Sequence, residues 1–96
     1  MTAIADLAQN YYVAFLRYLP RREEVALAKA YELGREAVAN RVSILELAQM
    51  HHDVLLQVLE GTSPDEVTSV ATAASEFFLE VLATYDMAQR SLLGGE

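Results

Sequence analysis

Ser63-Pro64-Asp65-Glu66-Val67, with the apolar series that runs from it to Leu92, decides how this chain folds. Ser63 offers an N-cap hydroxyl and Pro64 suits the first helical position. Asp65 and Glu66 put acids in the first turn, and Ser63-x-x-Glu66 has the spacing of a capping box. Val67, Ala71, Ala74, Phe78, Val81, Tyr85, Ala88 and Leu92 then recur at alternating steps of four and three. That is a heptad seam. It predicts a helix over about 64–93, stopped by Gly94-Gly95. At 1.5 Å per residue the helix spans roughly 40 Å, more than a bundle of this size needs. The surplus predicts that its far end packs on a second copy.

Working back along the chain, three shorter helices are expected, over about 2–19, 22–40 and 44–60. In the first, capped by Thr2, the stripe Ile4, Leu7, Tyr11, Ala14, Tyr18 is widened by Ala8, Tyr12, Phe15, Leu16 and Leu19. Pro20 ends it, because the residue before proline avoids the helical region. The second helix starts with Glu23 and Glu24. It carries one face of Leu27, Tyr31, Gly34 and Val38, and beside it a face of small residues, Ala26, Ala30, Gly34 and Ala37. Glycine inside a helix costs about 1 kcal/mol relative to alanine. Close approach of another backbone is the expected compensation at Gly34. Ser43-x-x-Glu46 opens the third helix as a capping box. Ile44, Leu47, His51, Val54 and Val58 form its expected inward stripe, and Gly61 is expected as a left-handed stop.

The sequence has 96 residues, 53% of them apolar, and a formal net charge of −7 from 7 basic and 14 acidic residues. That length makes one domain over 1–96 the expectation. The acidic balance lacks the footprint of a nucleic-acid binder. The bases cluster in the first half, whereas Asp65, Glu66, Glu76, Glu80 and Asp86 face only Arg90 in the last third, which would steer a basic protein patch. There is no cysteine, so no disulfide framework or thiol chemistry. No run reads as membrane-spanning, and Asp6 with no basic flank does not read as a signal peptide. The expectation is a cytoplasmic bacterial protein.

Candidate chemistry is sparse. His51-His52 is the only cluster resembling a metal site. Adjacent helical positions point about 100° apart, so the two rings cannot share one ion. No second histidine follows at the zinc-protease spacing. A hydrogen-bonded structural role is the simpler reading of His51, with a pH-sensitive contact as its rival. Glu32, Arg35 and Glu36 read as a solvated, ion-paired helix face. Neither a nucleophile triad nor a phosphate-binding loop is present. No cofactor, no metal site and no catalysis are expected.

One spot points outward. Leu79 and Ala83 lie almost opposite the Val81 seam at i,i+4 spacing, with Glu76, Glu80 and Asp86 around them. An apolar anchor in an acidic rim fits a protein-docking site; a scattered surface leucine fits equally. The expected dimer face is Tyr11, Phe15, Phe78, Val81, Tyr85 and Ala88.

Tyr18-Leu19, Ala30 with Arg35, the Ile44–Val54 helix with His51, and Phe77-Phe78-Leu79-Glu80-Val81 followed by Tyr85 and Met87-Ala88 together carry a resemblance over about residues 11–90. The chain resembles the N-terminal domain of RsbU-type regulators, PPM serine phosphatases of stress signalling. The resemblance implies an all-helical homodimer joined to a phosphatase domain. It also implies a partner, the switch kinase RsbT, whose binding turns on dephosphorylation of an anti-anti-sigma factor and so releases a stress sigma factor. By position, the RsbT-facing surface would fall on Ala28, Leu79 and Ala83. Ala28 and Ala83 are smaller than the bulky residues members of the family carry there, which leaves room for a different partner on the same surface. With Glu76 on the rim, the expected partner site is Ala28, Glu76, Leu79 and Ala83. The fold expected is thus all-α, a four-helix regulatory domain in a dimeric bundle. The alternatives are a purely structural dimerisation module of a bacterial sensor kinase or phosphatase, and a small metal enzyme dependent on His51.

Overall fold

The computed structural model describes residues 3–94. Four α-helices follow in order: α1 Ala3–Tyr18, α2 Glu24–Ala39, α3 Ile44–Glu60 and α4 Val67–Gly94. A 3-10 turn, Pro64–Glu66, leads into α4. No strand occurs among the described residues. The bundle measures 49 × 29 × 19 Å, and α4 sets its long axis.

The helix ends show which local signals act. α1 stops at Tyr18, just ahead of Pro20. At α3 the capping box forms as expected: Ser43 Oγ accepts from Glu46 N–H at 3.1 Å, and Ser43 N–H donates to Glu46 Oε1 at 2.9 Å. The second expected box does not form. Ser63 makes no side-chain cap bond; its carbonyl accepts from Glu66 N–H at 2.9 Å, closing the 3-10 turn instead. Gly61 is not left-handed either, with φ −101°. α3 closes through Thr62, whose hydroxyl donates to the Val58 carbonyl at 2.8 Å.

Among the described residues, the left-handed ones are two arginines, Arg22 (φ 52°) and Arg41 (φ 59°). After α2, Val42 N–H donates to the Ala37 carbonyl at 2.8 Å and Arg41 N–H to the Val38 carbonyl at 3.0 Å. This is a Schellman motif, with buried Val42 against buried Ala37 as its apolar contact. Tyr85 then donates its hydroxyl to the Val42 carbonyl at 2.9 Å and pins the connection to α4.

The most extensive pairing is α2 on α4. Its centre is Gly34. A Cβ there would collide with Thr84 Oγ1 and the Val81 carbonyl oxygen, so the two backbones touch, as the glycine predicts. Small residues and Leu33 make this face: Ala30, Leu33, Gly34 and Ala37 are buried, whereas Tyr31 is exposed. Buried Thr84 returns its hydroxyl to its own helix, to the carbonyls of Val81 at 3.2 Å and Glu80 at 3.3 Å.

The core is aromatic at its middle. Phe77 sits among Tyr11, Phe15 and Tyr18 at centroid distances of 5.3, 5.5 and 5.8 Å. Such tilted and edge-on pairs add to area burial. The heptad seam is therefore only part of the α4 core. Ala74, Val81 and Tyr85 are buried with Ala73, Phe77 and Thr84, while Val67 is 40% and Leu92 69% exposed. α4 is covered by three helices at once, which widens its buried face beyond one stripe. On α3 the inward stripe is Leu47, Met50 and Val54, with Ile44 exposed at the start.

One expectation needs correction. Pro64–Leu92 is long and apolar enough to cross a membrane by length and composition, its most apolar 18-residue window having a mean hydropathy of 1.2. Its buried stripe packs on α1, α2 and α3, and Glu76 and Glu80 interrupt it near the middle, where a carboxylate in a bilayer costs about 3 kcal/mol. Of the six residues expected at a dimer face, Tyr11, Phe15, Val81 and Tyr85 are buried within the single chain. Phe78 and Ala88 are half-buried.

Candidate docking surface

The outward-facing residues of α4 divide between a structural clasp and an open face. Leu79 is 64% exposed, and Ala83, one turn on, is exposed too. Ala28 is exposed on α2, where it lines a groove of about 410 Å³ with Leu27, Tyr31 and Glu80. The structure thus brings Ala28 to Glu80, and sets Leu79 and Ala83 on the exposed face of the same turns of α4. Glu80, named around the apolar spot in the sequence, lines this groove with Ala28. Its position beside Leu79 in the acidic face is the signal that points to it.

Glu76 has a different task. Tyr18 donates its hydroxyl to Glu76 Oε1 at 2.9 Å, and Arg22 Nη1 lies 3.6 Å from the same oxygen. Arg22 Nη2 also donates to the carbonyl and to Oγ of Ser69, both at 2.9 Å. The guanidinium and its partners bolt the α1–α2 turn to the first half of α4. Burial, then the Glu76 carboxylate, raises the Tyr18 phenol above its ordinary pKa. Nothing local in the sequence marks this clasp, because it joins residues far apart in the chain.

Beyond Tyr31, the cleft between α2 and α4 continues past Arg35 and Val38 to Met87, Ala88 and Leu92. Met87 and Leu92 are largely exposed there. This end carries both signs of charge, with Asp86 and Arg90 paired at 3.1 Å.

His51 is half-buried and tied into the core. The Tyr11 hydroxyl and His51 Nδ1 are hydrogen-bonded at 2.7 Å. The imidazole stacks on Phe78 with centroids 4.1 Å apart and planes 5° from parallel. Burial, and then the neighbouring His52, push the His51 pKa down to about 4, so the ring is neutral near pH 7. Burial also raises the Tyr11 phenol well above its usual value. The arrangement is that of a structural histidine. Among the described residues no three His, Asp or Glu side chains converge as metal ligands would.

The described residues thus form an all-α bundle with an open α2/α4 face and a long fourth helix. Residues 9–88 match the family model described as phosphoserine phosphatase RsbU, N-terminal domain. The chain belongs to that family. No curated protein and no solved structure shows a significant match. The RsbU N-terminal domain is a regulatory part of RsbU-type phosphatases, separate from their catalytic domain. Its partners are signalling proteins in general. The match spans α2, α3 and all the residues of the candidate surface.

Proposed function

We propose that this domain is a non-catalytic receiver, which binds a switch protein of the RsbT type on the α2/α4 face and thereby activates a serine phosphatase in a cytoplasmic bacterial partner-switching pathway. The observation that carries the reading is Leu79, 64% exposed in mid-helix with exposed Ala83 one turn on and Glu80, which shares a groove with Ala28, next to it in the chain. A leucine so placed is a ready central anchor, and the acids around it complement a basic partner. The small side chains of Ala28 and Ala83 leave space for a bulkier partner residue. The domain works as a homodimer in this reading. Its second copy covers Met87 and Leu92 at the far end of α4, where paired charges of both signs suit a self-complementary contact.

The test is an equilibrium binding titration against a purified RsbT-type kinase. Leu79→Asp should weaken binding by about 2 kcal/mol, roughly thirtyfold, with helicity and mass in solution unchanged. Charge reversal at Glu80 should mainly slow association, and less so at high salt. If Leu79→Asp binds like the parent chain while Leu92→Asp splits a dimer, the domain is a dimerisation element alone.

A further inference from the structure

A second groove lies away from the α2/α4 face, between α1 and α3, and α2 contributes nothing to it. Its volume is about 600 Å³. Ile4, Ala8 and Tyr12 form one wall; Met50 forms the other, with Glu46 and Asp53 along the rim. The groove is open to solvent along its length rather than closed over, so it suits an elongated ligand better than a small molecule. From Glu46 to Gln57 the α3 wall runs about 16 Å at 1.5 Å per residue, three turns of a helix.

Charge narrows the occupant. α3 contains no lysine or arginine, and the only base in α1 is Arg17 in its last turn. Asp6, Glu46 and Asp53 enter no ion pair among the described residues. An isologous contact would lay this patch on its own copy. Glu46 and Asp53 would then face their own counterparts, with no lysine or arginine among the described lining residues to compensate. A second copy is therefore disfavoured here, and a cationic ligand with apolar anchors is favoured.

We propose that the α1/α3 groove is a separate docking site, which takes a short amphipathic helix of another protein, with apolar anchors at i, i+3/i+4 and i+7 between flanking lysines or arginines. Helix-in-groove recognition of this kind needs an apolar floor and a complementary rim. The site is distinct from Leu79 and Ala83, so the domain can hold two partners at once.

The probe is a labelled synthetic fourteen-residue helical peptide with leucines at those positions and lysines elsewhere, titrated by fluorescence anisotropy against the whole chain. The double variant Gln49→Lys/Asp53→Lys changes exposed side chains only, and circular dichroism checks its fold. The variant should weaken binding roughly tenfold or more, Leu79→Asp should leave it unchanged, and NMR shifts should centre on Ile4, Ala8 and Met50. Replacing the peptide's leucines by serine should abolish binding. The proposal is overturned if the serine peptide binds equally well, if the double variant binds as the parent does, or if no binding occurs. It is equally overturned if the double variant changes the chain's own oligomeric state, which would give the groove to a second copy.

Discussion

α2 packs on α4 backbone to backbone, while α1 meets α3 through side chains that leave a furrow between them. The first contact is built from residues with almost nothing beyond Cβ: Ala30, Gly34 and Ala37 against Val81 and Thr84. The second is held by a hydrogen-bonded pair, Tyr11 and His51, with Phe78 stacked on the imidazole. Close packing tolerates no added atom. A side-chain pin leaves space beside it and depends on protonation. The same core therefore contains one rigid seam and one adjustable side.

Adding a single carbon would test the seam hardest. Gly34→Ala should destabilise by about 3 kcal/mol despite alanine's better helix propensity, because the new Cβ meets a carbonyl oxygen of α4 as well as the Thr84 hydroxyl. Thermal denaturation reads the effect. A variant as stable as the parent would mean that the helices can part without cost.

The adjustable side should respond to acid. The His51 pKa falls from 6.5 in the unfolded chain to about 4 in the fold, so the folded state favours the neutral ring. Between those values the unfolded chain binds more protons, and stability rises with pH. The contribution is complete above pH 6.5 and is lost as pH falls to about 4, on the order of 3 kcal/mol for a shift of that size. Denaturant midpoints measured across that window should slope in the parent and flatten in His51→Gln. The substitution itself should cost about 1 kcal/mol near neutrality, since it trades the Phe78 stack for an amide. An equal slope in both chains would assign the acid sensitivity to other groups.

The smallest change is expected at the end of α3. A Cβ on Gly61 would meet only the Val58 carbonyl oxygen at 3.9 Å, and the residue has a negative φ. Gly61→Ala should stabilise by about 0.5 kcal/mol through the unfolded chain. Paired with Gly34→Ala, it separates a glycine required by packing from one that is not.

The two glycines also show what the sequence makes legible. Gly34 stands between alanines on a helix face, and only close approach explains it. Gly61 follows an apolar run and reads as a left-handed stop, yet Thr62 closes the helix instead. Helix number and limits follow from signals within a few residues, such as Pro20 and the Ser43–Glu46 box. Val42, fully enclosed between two helices, belongs to no periodic stripe, and its burial depends on Arg41 adopting a conformation that arginine rarely shows. Phe77 looks peripheral beside the heptad seam because periodicity gives the centre of a face but not its width. Tyr11, Phe15, Val81 and Tyr85 were expected at a dimer contact for a related reason: an apolar stripe says that something covers it, not whether the cover lies in the same chain. Leu79 was legible as outward-pointing because it sits opposite that stripe.

Gly34 touches α4 at Val81 and Thr84, and α4 runs from Val67 to Gly94, so the contact falls near its midpoint. An unbroken helix pressed at its centre against a fixed point is a balanced lever with a fulcrum. Each arm is roughly 20 Å long at 1.5 Å per residue. A tilt of about 10° would carry either tip roughly 3.5 Å, in opposite directions. One arm is fastened by Arg22 and the other, pinned at Tyr85, carries Leu92 outward, so a small tilt about the contact reads out as a larger displacement at Leu92.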